Sequence, residues 1–252
     1  MVKILMRGCN GRMGRMITSI VKETEGAEIT VGLDLFDGVQ NDYPVFKTID
    51  EVNVDFDVVI DFSSADESLN RLLDYCVENG KGIVLCTTGL SEEQLNKVKE
   101  ASAKTAILKS ANMSLGINLL LKLIKEATKT LADEGFDIEI VEKHHNQKLD
   151  APSGTALALG DAVNAELNNE YEYVYDRSQR REKRPKKEIG FSAVRGGTIV
   201  GDHDVIYAGQ DEVITLSHTA YSRAVFAKGA VAAAKFLKDC KPGMYDMSHV
   251  IG

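Results

Sequence analysis

The 252 residues carry 30 Lys and Arg against 38 Asp and Glu, 44% hydrophobic residues, four Pro and no Trp. That leaves room for a sizeable core in one large or two modest domains and excludes a low-complexity or broadly disordered chain. A formal net charge of -8 argues against general nucleic-acid binding, and no apolar run approaches the roughly 18 residues that cross a bilayer.

The opening MVKILMRGCNG is too short an apolar segment for a secretory leader, and residues 2–6 read as a first strand. Met13, Met16, Ile17, Ile20 and Val21 then recur at the spacing of a helix that buries one face, with Gly26 as its stop. Residues 28–33, 57–62, 82–86 and 106–108 read as further strands. Between them, Leu69, Leu72, Leu73, Cys76 and Val77 mark a helix ended by Gly80, and Ser91 with Gln94 forms a capping-box signature opening the next. Residues 115–131 form a long helix. Strand and helix alternating in this way predict an α/β fold, a Rossmann-like parallel sheet with helices on both faces.

After about residue 135 the pattern changes. Phe136, Ile138 and Ile140 alternate with Asp137 and Glu139, as in a strand with one exposed face. Residues 189–194, 198–208 and 213–220 also read as strands, the last two joined by a turn at 209–212, and one helix covers 153–167. An open mixed sheet is expected, hence a second domain of α+β type. The helical residues 222–237 close the chain. The cysteines Cys9, Cys76, Cys86 and Cys240 form no C-x-x-C pair, which suits a reducing compartment, and the cytoplasm is expected. Residues 177–187 hold seven basic residues and one acidic, and are read as an exposed, mobile loop.

Two places carry chemistry. Gly8, Gly11 and Gly14 follow the first strand and open the first helix, where a dinucleotide pyrophosphate needs close backbone approach and free amides. Asp34 ends the second strand 20 residues beyond Gly14, placed to accept hydrogen bonds from the adenosine ribose. Asp34 and Leu35 favour NADH over NADPH, while Arg12 could reach a 2′-phosphate. Thr87, Thr88 and Asn112, in turns after later strands, are candidate nicotinamide-side contacts. The second place is EKHHNQKLDAPSGTA at 142–156, running from a strand end to a helix start. His144 or His145 can transfer a proton near neutral pH, Lys148 can act as a cation or proton donor, and the amides of Gly154 and Thr155 suit a carboxylate. Pro152 fits a first helical turn, and Ser153 reads better as a cap than as a nucleophile. The paired histidines have no third ligand nearby, so no metal is expected.

With these residues in place, the chain resembles the 4-hydroxy-tetrahydrodipicolinate reductase (dihydrodipicolinate reductase) family. The resemblance rests on residues 8–14, on 142–156, on VRGGTIVGDH at 194–203 and on SRAVFAKG at 222–229, and so spans essentially the whole chain. It implies NAD(P)H-dependent reduction of a small dicarboxylate in the diaminopimelate route to lysine. It also implies a nucleotide domain of residues 1–113 and 222–252, a substrate and oligomerisation domain of 114–221, and a homotetramer. By the same resemblance His144 is the proton donor and acceptor and Lys148 the proton donor, with His145, Ser153, Gly154, Thr155 and Thr88 on the substrate. Gly8, Cys9, Asn10, Gly11, Arg12, Met13, Asp34, Cys86, Thr87, Thr88, Ser110, Ala111, Asn112 and Met113 align with cofactor contacts. The family often carries a basic residue where Leu35 stands, so NADH is favoured with dual use expected. Another nicotinamide-dependent dehydrogenase, or a redox-sensing nucleotide-binding protein using the basic stretch, are the competing readings.

Overall fold

The computed structural model describes residues 1–252, which form two compact units: Met1–Leu115 with Ala224–Gly252, and Gly116–Arg223. In chain order the elements are β1 (Val2–Arg7), α1 (Arg12–Lys22), β2 (Ala27–Leu33), β3 (Val45–Phe46), β4 (Val58–Asp61), α2 (Ser68–Asn79), β5 (Gly82–Leu85), α3 (Glu92–Ser102) and β6 (Ala106–Lys109). Next come α4 (Leu115–Leu131), β7 (Asp137–His144), α5 (Gly154–Glu166), β8 (Glu172–Val174), β9 (Glu188–Arg195), β10 (Gly201–Ala208) and β11 (Val213–Ala220). The chain closes with α6 (Ala224–Leu237), β12 (Gly243–Tyr245) and α7 (Met247–Ile251). No helix is long and apolar enough to cross a membrane.

In the first unit seven strands pair in parallel in the order β12-β6-β5-β4-β1-β2-β3. The strands are continuously apolar because both faces are covered. Ile4, Met6 and Val84 meet Ile17 of α1 and the alanine-rich face of α6, whereas Leu5, Ile83 and Leu85 meet Leu69, Leu73 and Cys76 of α2 on the other side. β1 lies between β2 and β4, so the chain reverses its direction of sheet growth there. A crevice opens at that reversal, beyond the carboxyl ends of the strands, and ligands of such sheets bind in it.

The second unit is a mixed sheet in the order β11-β10-β7-β9-β8. β10 is antiparallel to β7 and β11, whereas β9 is parallel to β7 and β8. β7 alternates strictly: Ile138 and Ile140 enter the core against Ile124 of α4 and Leu159 of α5, and Glu142 and His144 continue the same buried face. The hydrophobic period of two thus carries two polar groups to the end of the core face.

Several boundaries differ from the expectations. α1 ends at Lys22, and Gly26, at φ 81°, makes the turn into β2 instead of the helix stop. β10 begins only at Gly201, and α6 at Ala224. Pro152 lies ahead of the cap residue Ser153, outside the helix. The basic stretch is strapped down by ion pairs: Arg177 and Arg180 hold Glu188 at 2.5 and 2.8 Å, and Arg184 holds Asp137 and Glu139 at 2.7 and 3.0 Å. Acidic partners supplied by β7 and β9 answer these cations, which the local sequence does not reveal.

Candidate active site

The turn after β1 is built by its glycines. Gly8 has φ 79°, and a Cβ there would lie 2.4 Å from the Phe62 carbonyl oxygen. At Gly14 a Cβ would lie 2.1 Å from the Gly8 carbonyl oxygen. Neither position admits a side chain, so the first turn of α1 packs directly on the loop. Gly11 caps α1 without a side-chain hydrogen bond, and no acidic residue stands in the first turn. That helix start therefore has no side chain of its own to offset its exposed amides.

A cavity of about 840 Å³ runs from this turn along the strand ends, lined among others by Gly8, Asn10, Asp34, Leu35 and Ser64. Asp34 accepts the Asn10 amide at 2.9 Å through one oxygen and the Phe36 amide at 2.9 Å through the other. It therefore shapes the loop as well as offering its remaining lone pairs to a ribose. Two cations missed in the sequence line the same cavity: Lys47, 3.7 Å from Asp37, and Arg71, 2.6 Å from Asp50. In the same lining, buried Arg7 donates to Asp61 at 2.8 Å and to Asp66 at 2.9 Å, tying β1 to β4 and the loop after it.

The remaining expected cofactor residues divide by exposure. Arg12, Thr88 and Ala111 are exposed, and Met13, Cys86, Ser110 and Asn112 half-buried. Cys9 is fully buried, its thiol pushed up to about 12 by burial and by the nearby Asp34, so it can offer only its backbone. Thr87 is buried, and its hydroxyl oxygen accepts the Ser63 amide at 3.2 Å. Asn112 accepts the Ser114 amide at 2.8 Å, and Met113 is buried, its carbonyl oxygen where a Cβ on Gly229 of α6 would fall, at 1.6 Å.

In the second unit the register of the sheet assembles a polar group. His144 pairs with Arg195 of β9, and Glu142 with His203 of β10. The Glu142 carboxylate accepts both terminal nitrogens of Arg195 at 2.7 Å, the Ser153 amide at 2.9 Å, and meets His144 Nδ1 at 2.6 Å. Burial alone would raise Glu142, but Arg195, His144 and the Ser153 amide outweigh it and hold the carboxyl below its ordinary range. The His203 ring stands edge-on to His144 at 5.1 Å, and its Nε2 is 3.0 Å from Ser153 Oγ. Burial, reinforced by His144, pushes His203 down to about 4, so it is neutral at physiological pH.

Ser153 is spent in this frame. It is 2% exposed, its amide goes to Glu142 and its hydroxyl to the Ala156 amide and His203. Ser153 caps α5 and anchors the loop, the capping role expected from the sequence. Gly154 is exposed and Thr155 half-buried at the positively polarised start of α5. Lys148 is half-buried with Nζ 2.7 Å from Asp150, and His145 is half-buried with Nδ1 lacking a partner. Glu142, Arg195 and His203 lie within the motifs at 142–156 and 194–203 but were given no role there. The two-residue spacing of Glu142 and His144 was a usable signal for one strand face; that Arg195 meets them depends on the sheet register.

A glycine-built turn at the reversal of a parallel sheet, followed by a mixed-sheet unit with a buried carboxylate and imidazole pair, is the make-up of a nicotinamide-dependent oxidoreductase. The family model described as dihydrodipicolinate reductase, N-terminus, matches residues 2–113, and that described as dihydrodipicolinate reductase, C-terminus, matches 116–251. The 4-hydroxy-tetrahydrodipicolinate reductase of Caldanaerobacter subterraneus subsp. tengcongensis is 52% identical over 251 residues, covering 100% of this chain and 98% of its own. That of Clostridium tetani is 51% identical, covering 98% and 96%. The structure of dipicolinate-bound dihydrodipicolinate reductase from Paenisporosarcina sp. TG-14 superposes with a TM-score of 0.83 at 23% identity over 100% of both chains, a likeness of fold. The chain belongs to the dihydrodipicolinate reductase family.

Proposed function

We propose that His144 and Lys148 carry the proton chemistry of the family's reaction, the nicotinamide-dependent reduction of 4-hydroxy-tetrahydrodipicolinate to tetrahydrodipicolinate with loss of water. This step belongs to the diaminopimelate route to lysine. The observation that supports the assignment most is the placement of His144 at the end of a core-facing strand, its Nδ1 already engaged by a buried carboxylate. A ring anchored through one nitrogen offers the other for proton exchange.

The residues of the first unit fit the cofactor: a helix start left uncapped, a loop no Cβ can fill, and a cavity of about 840 Å³. Gly8, Asn10, Gly11 and Arg12 would hold the pyrophosphate side, and Asp34 the ribose. Bound there, the nicotinamide supplies the hydride. Once water has left the substrate, hydride addition to the conjugated imine builds negative charge on the ring system, and a proton must quench it. Lys148 and His144 are the donors, and the ammonium also offsets the substrate's two carboxylates. Gly154 and Thr155, at the positive end of α5, receive one carboxylate; His145 contacts the substrate. The cofactor reading remains NADH favoured with dual use: Asp34 opposes a 2′-phosphate, and Lys47 on the same cavity wall would tolerate it.

A homotetramer is proposed with it. β11 is an eight-residue edge strand with Val213 62% exposed and Ile214 36% exposed, an edge suited to pairing between copies. The cytoplasm suits four cysteines that are all free. Steady-state kinetics with enzymatically generated substrate and each cofactor test the whole reading. NADH and NADPH should both be oxidised, NADH with the higher kcat/KM. Substrate-independent behaviour with both cofactors would overturn it.

A further inference from the structure

His144 does not stand alone, and its neighbours divide into groups that hold the ring and groups that shape the space around it. Glu142 is 1% exposed at its side chain, and every direction of its carboxylate is occupied. One oxygen takes the Ser153 amide and an Arg195 nitrogen; the other takes the second Arg195 nitrogen and faces His144 Nδ1 at 2.6 Å. A carboxylate gripped by a guanidinium fork and a main-chain amide cannot swing away from the imidazole. An ionised carboxylate is an acceptor only, so Nδ1 must be the nitrogen that carries hydrogen.

The opposite end of the ring is equally constrained. A Cβ on Gly201 of β10 would lie 3.0 Å from His144 Nε2, so the strand passes close to that nitrogen without a side chain. His203, tethered to Ser153 Oγ, meets the ring edge-on and restrains its plane. We propose that Glu142, locked by Arg195, is a positioning residue that fixes His144 in the Nδ1–H tautomer and thereby makes Nε2 the nitrogen that exchanges the proton with substrate. The assignment rests on the reading of His144 as the proton donor and acceptor, and adds to it which atom acts and what sets it. Ser153 and His203 join the frame as its second support.

Imidazole ¹⁵N spectra of the wild-type protein test the tautomer without any substitution. Above the pH at which the ring titrates, His144 Nδ1 should show the shift of a protonated nitrogen and Nε2 that of an unprotonated one; the reverse pattern overturns the proposal. Kinetics test the consequence. Glu142→Gln should lower kcat at least about tenfold with the substrate KM within about twofold, and the same spectra should show the Nε2–H tautomer of His144 gaining population, because an amide can donate to Nδ1 as well as accept from it. His144→Ala is run beside it. Turnover that survives His144→Ala overturns the catalytic reading and the proposal with it. Turnover lost in His144→Ala but unchanged, with an unchanged tautomer, in Glu142→Gln overturns the proposal alone.

Discussion

The glycine turn after β1 and the histidine group at the end of β7 are built by different means. The first is shaped by side chains that are missing, at Gly8 and Gly14, where a Cβ would fall 2.4 and 2.1 Å from a carbonyl oxygen. The second is assembled from side chains of three strands and a helix cap, with Glu142 at its centre and Arg195 arriving from 53 residues away. A main-chain site is written in consecutive residues and tolerates wide variation around its glycines. A side-chain site depends on register, and a shift of one residue in β7 would turn Glu142 and His144 to the other face.

Substitutions can break either half of that contrast. The largest effect is expected at the side-chain site: His144→Ala and Lys148→Ala should each cut kcat by about 10²- to 10⁴-fold, with cofactor affinity within about twofold. Single-turnover kinetics and a cofactor titration separate the two quantities, and wild-type turnover in either variant would remove that residue from the mechanism.

The next effect concerns acid. His203 falls from an ordinary 6.5 to about 4 in the folded protein. The unfolded chain therefore takes up a proton that the native state refuses as pH drops from about 6.5 toward 4, and stability declines through that window by on the order of 3 kcal/mol. Glu142, held below its ordinary range, adds a further loss at still lower pH as its carboxyl protonates in the fold. Urea unfolding across this range should show a shallower pH dependence in His203→Gln than in the wild type; parallel curves would mean that His203 is charged in the native state.

A smaller effect is expected at the main-chain site. Gly14→Ala forces a methyl against backbone that cannot retreat and should cost roughly 1–3 kcal/mol of stability along with most cofactor affinity. Unaltered binding by the folded variant would show that the turn does not cradle the pyrophosphate. The smallest change is Leu35→Arg at a residue 77% exposed on the cavity wall. It should raise NADPH affinity relative to NADH about three- to tenfold, in the range of a partly solvated charge pair; an unchanged ratio would place position 35 away from the ribose.

Legibility followed the range of the interactions. The capping box of Ser91 and Gln94, the left-handed stop at Gly80 and the buried face of α2 were all readable, because each is set within one or two helical turns. The short pairings of β3, β8 and β12 were not, since two- or three-residue strands exist only where a neighbour supplies the hydrogen bonds. The basic stretch looked like a free charged loop because Asp137, Glu139 and Glu188, which answer its arginines, lie on β7 and β9. Lys47 and Arg71 likewise gave no sign that they border the same cavity as Asp34.

By itself, then, the order of residues determined the alternation of strand and helix, the glycine turn, the core-facing period of β7 and the motifs that mark the family. Local sterics and hydrophobic periodicity act over a few residues and need no partner to be read. The tertiary structure alone decided that Ser153 is buried in a cap, that Cys9 points into the core, and that Glu142, Arg195 and His203 converge on His144. Those outcomes depend on which strands become neighbours and in what register, and burial then fixes the charge each group can carry.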